Sequence, residues 1–163
     1  MSYDPFPPSY APAPAKAAAY ATLLAAKQAW LRGKIAGEQD LIRAARDGLR
    51  SKDDQVRSDA EQQIDQYEKD IAEARAELAK LAGPRNQAQE AVLKKNLQAW
   101  LDALQVQINY WVTAAENAEK RATEKGKDAP SAPLEKDRAT QAADGLKREK
   151  GDLEKDGKDA GLL

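Results

Sequence analysis

Three stretches of the chain carry residue types that do chemistry in other proteins. The first is Asp152-Leu153-Glu154-Lys155-Asp156-Gly157, which fits positions one, three, five and six of a calcium-coordinating loop. The twelfth position, where a bidentate glutamate belongs, is Leu163, so the reading is a charged, glycine-punctuated segment and not a metal site. The second is Gly126-Lys127. Asp128 follows where a phosphate-binding loop needs Ser or Thr, and no Gly stands five residues ahead. The third is the carboxylate pair Asp53 and Asp54, which falls on an expected solvated helix surface, where a carboxylate has no cause to shift its pKa.

Nucleophilic catalysis is equally short of parts. The chain has no His and no Cys, so the commonest general base, the commonest metal ligand and any thiolate are missing. The five serines (2, 9, 51, 58 and 131) sit in the N-terminal segment, near expected helix starts and in a linker. Only a lysine base would be left to activate one, and no pair marks such an arrangement. No catalytic residue, cofactor site, metal site or small-molecule substrate is expected, and the chain reads as a non-enzyme.

Binding is better represented. Tyr3, Phe6 and Tyr10 are interleaved with Pro5, Pro7, Pro8, Pro12 and Pro14. Proline removes backbone donors and pushes its predecessor to extended geometry, so residues 1–14 are expected to be an extended arm. Such an arm adds nothing to a helical core, and its aromatics are expected to dock on a neighbouring chain, as Pro-rich peptides do. In the helical body, Trp30, Trp100 and Trp111 recur at helical spacing, mostly as core. Trp100, Val106 and Tyr110 lie off the main apolar stripe and are expected to meet another helix or subunit.

These residues need long helices to position them. Ala supplies 33 of the 163 residues, Leu, Ile, Val and Phe together only 26, and Ala, Glu, Lys, Leu and Arg together 87, the make-up of long helices and coiled coils. Tyr20, Leu23, Leu24, Trp30, Leu31, Ile35, Leu41, Ile42, Ala45 and Leu49 form one amphipathic stripe starting near Ala15. At 47–52, Asp47-Gly48 with Ser51, or Ser58 with Glu61, marks either a break and restart or a helix that runs through. Ile64, Tyr67, Ile71, Ala74, Leu78 and Leu81 step by three and four, as heptads do. Gly83-Pro84 stops that series. A second one runs through Leu97, Leu101, Leu104, Ile108, Trp111, Ala115, Ala118 and Ala122 and ends by Gly126.

A fold-back at 83–84 would pair Ile71 with Leu97, Tyr67 with Leu101 and Ile64 with Leu104. The expected fold is therefore all-α: a long antiparallel helical hairpin or coiled coil over 15–126, or a three-helix bundle with 16–50 folded back. Residues 127–163 are expected to be a linker and a polar tail, with a short helix over Leu134–Ala143 and only a weak helix or solvated chain beyond it.

Charge is nearly balanced, with 26 basic and 27 acidic residues. Residues 16–50 carry a net +4, too thin for the clustered stripe of a nucleic-acid binder, so nucleic acid is not an expected partner. No apolar run is long enough to span a membrane, and residues 1–14 lack the basic and apolar regions of a secretory signal. The expected location is the cytoplasm or a particle assembled there. In composition the whole chain resembles the small Ala- and Gln-rich helical virion proteins of tailed bacteriophages. That resemblance implies an internal, tail-plug or head–tail component; the arm is expected to anchor it, with copies of itself or other structural proteins as partners. A cytoplasmic coiled-coil adaptor or chaperone and a weak nucleic-acid binder are the other readings.

Overall fold

The computed structural model describes residues 10–124 and 131–163, and among them it is helical with no strand. Residues 10–15 are non-helical, and a single 3-10 turn, Lys16–Ala18, leads into α1 (Ala19–Arg46). A second 3-10 turn, Asp47–Arg50, precedes α2 (Asp54–Lys80); α3 (Gln87–Thr123) and α4 (Ala132–Asp159) complete the chain.

The helix does break at 47–52, but neither expected serine caps the restart. The Asp53 carboxylate accepts from the Gln55 and Val56 backbone N–H groups at 2.8 and 3.4 Å, and Ser51 Oγ accepts from Asp53 N–H. Ser58 lies inside α2. A carboxylate beside the positive end of a helix has both the geometry and the charge for this role. The stop at 83–84 is as expected, with Gly83 at φ 81°. Asn86 Oδ1 then accepts from Gln89 N–H at 2.9 Å to open α3.

The chain divides into two compact units, residues 23–93 and residues 1–22 with 94–163. In the first, α1 and α2 run antiparallel, Lys27 meeting Glu77 at 3.4 Å. Leu23, Leu31, Ile42, Ala60, Ile71, Ala74, Leu81 and Leu93 form its core. The buried Gln89 side chain donates to the carbonyls of Leu81 (2.9 Å) and Gly83 (3.3 Å), supplying donors to the end of α2, and Gln28 also reaches Leu81 O. In the second unit α3 and α4 run antiparallel. Arg121 meets Glu135, Lys136 meets Glu119 at 3.1 Å, and Lys150 donates to Gln105 at 2.8 Å. Leu97, Trp100, Leu101, Leu104, Ile108, Ala118, Ala139, Ala143 and Leu153 are buried there.

The C-terminal region corrects the expectation of a polar tail. Residues 132–159 are one 28-residue helix. Ala132, Ala139, Ala143, Leu146, Lys150, Leu153, Gly157 and Ala160 step by sevens, fours and threes, a narrow stripe in which the small residues Ala132, Ala139, Ala143, Gly157 and Ala160 let α4 lie close to α3. A Cβ at Gly157 would stand 2.6 Å from Leu97 Cδ2 and 2.7 Å from Leu163 Cδ1. The helix ends in a Schellman cap: Gly161 takes φ 74°, Leu162 N–H donates to Gly157 O at 2.8 Å and Gly161 N–H to Lys158 O at 3.0 Å. Leu162 is buried behind the cap. Among the described residues no helix is long and apolar enough to cross a membrane.

Candidate functional site

The best-built polar site sits on α3 and α4, where residues 10–13 lie. Asp156 is 2% exposed, on the inward stripe of α4. Its Oδ2 accepts from the Tyr10 hydroxyl at 2.6 Å and from the Ala13 backbone N–H at 2.8 Å. Two turns earlier on α4, Glu149 Oε1 accepts from the Tyr10 backbone N–H at 2.9 Å. The Tyr10 ring lies 6.3 Å from the Trp100 ring, tilted by 54°, within the range of favourable aromatic pairs. Four contacts thus read a tyrosine followed three residues later by a backbone donor.

The electrostatics hold the phenol protonated. Burial pushes the Tyr10 hydroxyl well above its ordinary 10.0, and the hydrogen bond to Asp156 and the negative charges of Asp156 and Asp152 push the same way. The hydroxyl therefore donates to the Asp156 carboxylate, a charge-assisted bond of the stronger kind.

Of the residues singled out for partner binding, Tyr10 and Trp100 come together, but within one chain. Trp100, expected to meet another helix or subunit, is 8% exposed and belongs to the core of its own unit. The reason is that α4 buries the face of α3 that a two-helix seam would leave bare. Val106 and Tyr110 are 68% and 66% exposed. They line a groove of about 720 Å³ with Asn109, Thr113, Ala114 and Asn117. The Tyr110 ring stands edge-on to Trp111 at 5.1 Å. From Ala103 to Ala115 α3 carries no charged residue at all. Tyr3 and Phe6 lie outside the described residues.

Glu149 and Ala13 were missed by sequence reasoning, and Asp156 was weighed only as a calcium ligand and set aside. The stripe of small residues on α4 was the available signal; the tyrosine 146 residues away was not. The carboxylates of the calcium-like motif serve different ends: Glu154 pairs with Lys150 at 3.5 Å while Asp156 faces inward. Among the described residues no three metal-ligating side chains converge.

The α1–α2 unit has its own polar features. The buried Lys27 ammonium lies 4.2 Å from the centroid of Trp30, with Lys34 at 5.4 Å from the same ring. Glu38 Oε2 is buried and finds no hydrogen-bond partner within bonding geometry among the described residues. Burial raises its carboxyl above the ordinary 4.5, the Asp70 carboxylate adds to this, Lys34 opposes it, and Glu73 contributes least. A smaller groove of about 460 Å³ is lined by Ile42, Ile71, Arg43, Arg46, Arg75 and Glu68 among others, with Arg43 paired to Asp40 at 3.0 Å. No family model, curated protein or solved structure matches the chain.

Proposed function

We propose that this chain is a non-enzymatic structural protein of a larger assembly, packing on copies of itself or on other structural proteins through the outer face of α3. The observation that carries the reading is the exposed Val106–Tyr110 face. A third of the chain is charged, yet thirteen consecutive residues of α3 are not, and two large apolar side chains stand in solvent among them. A face meant for water on a long helix carries charge; a neutral face with aromatic and β-branched residues fits a neighbouring helix. The scarcity of catalytic residue types supports a structural role, and the particle class in view is the virion of a tailed phage, to whose small helical components the chain is similar in composition.

The test is Tyr110→Glu, which places a charge at the centre of that face. Sedimentation of the purified chain and its recovery in native particles should both fall sharply. Far-ultraviolet helicity should stay unchanged, because Tyr110 contributes little to the core. Equal sedimentation and equal recovery of the variant and the wild type would overturn the reading.

A further inference from the structure

We propose that the groove on α3 and α4 which holds residues 10–13 is a peptide-acceptor site, and that in an assembly it takes the same segment from a second copy of the chain. Among the described residues, the groups that read the segment belong to α3 or α4: Trp100, Glu149 and Asp156. What they read is short, a phenol, its backbone N–H and a second N–H three residues on. Nothing in those contacts requires the segment to belong to the same chain.

The connection permits exchange. After Ala13 the chain passes through Pro14 and an extended Ala15 (φ −149°, ψ 156°) before the 3-10 turn begins. Rotation about the dihedrals there redirects residues 10–13 without disturbing a helix. Four extended residues span roughly 13 Å, so reciprocal exchange brings the 149–156 stretches of two α4 helices close together. Exchange swaps identical contacts, so the dimer differs from the closed monomer only in the connection and in the entropy of association. Pro12 and Pro14 restrict the released segment and lower the ordering cost of rebinding. The occupant is specified by chemistry: a buried carboxylate beside an indole ring takes a tyrosine, whereas a phenylalanine leaves Asp156 short of a donor. The inference uses none of the residues of the α3 outer face and stands or falls apart from it.

The experiment is complementation between full-length chains. Tyr10→Ala keeps the groove and spoils the segment; Asp156→Ala keeps the segment and spoils the groove. The Trp100 indole resonance of isotope-labelled Tyr10→Ala protein should shift from its wild-type position. Adding unlabelled Asp156→Ala chain should restore it, with a 1:1 heterodimer in native mass spectrometry. Adding the double variant should not. A synthetic peptide of residues 8–15 should restore it too, and its Tyr10→Phe version should bind at least about tenfold more weakly. Where either alanine variant loses helicity, Tyr10→Phe and Asp156→Asn replace the pair. No recovery with folded donor chain at millimolar concentration overturns the proposal, and so does recovery by peptide alone, which leaves the segment docked only in its own chain.

Discussion

Asp156 shows how one side chain changes meaning with its surroundings. In the sequence it is one acid among many in a charged stretch; in the fold it is a buried acceptor holding two donors from the other end of the chain. Gly157, its neighbour, is as specific. The space that a Cβ would need is filled by Leu97, which is buried and held, and by Leu163, which is half exposed and free to turn aside. Overpacking costs about 1–3 kcal/mol, and the helix propensity gained on replacing glycine returns about 1 kcal/mol. Gly157→Ala should therefore lower the free energy of unfolding by about 1 kcal/mol in urea denaturation. Gly151→Ala, one and a half turns back with nothing within 4 Å, should raise it by about 0.5–1 kcal/mol. The opposite result would mean that α4 does not approach α3 at Gly157.

At the scale of elements, Glu38 joins α1 to α2 at an electrostatic cost. It meets Asp70 and Glu73 of α2 and Lys34 of its own helix. A carboxyl whose native pKa lies above its unfolded 4.5 contributes its full stability below that value, and the contribution is lost as pH rises through the native pKa. Glu38→Gln should thus be more stable than the wild type at pH 7, with the difference gone below pH 4, as measured by denaturant midpoints at the two pH values. A wild type that gains stability on Glu38 ionisation would reverse the sign. The elements themselves were largely legible. Three- and four-residue steps located α1, α2 and α3, and Gly83-Pro84 located the turn, because periodicity and punctuation are local properties. The second half of α4 was not, since its glycines read as breaks in isolation. Only a neighbouring helix, pressing on Leu97, makes a stripe of Ala and Gly into a contact face. Asp53 was passed over as a cap for a related reason: Ser51 and Ser58 have the same propensity, and the choice among them falls to the preceding 3-10 turn.

On the scale of the whole molecule, residues 10–13 matter more than their composition suggests. A Pro-rich segment without helix signal was expected to leave the helical body indifferent to its loss. Because it supplies both donors to the buried Asp156 carboxylate, deletion of residues 2–13 should lower stability by about 2–4 kcal/mol, read as an earlier thermal midpoint, while helicity falls little. An unchanged midpoint would mean that Asp156 is satisfied without the segment. The position of Trp100 has an optical consequence. Its indole is almost fully screened from water and stands beside the Tyr10 ring, whereas Trp30 is flanked by two lysines and Trp111 by Tyr110. With Trp30 and Trp111 replaced by Phe, the remaining emission reports the departure of residues 10–13 as a red shift. Docking of the chain's far end then becomes visible in real time with no dye attached.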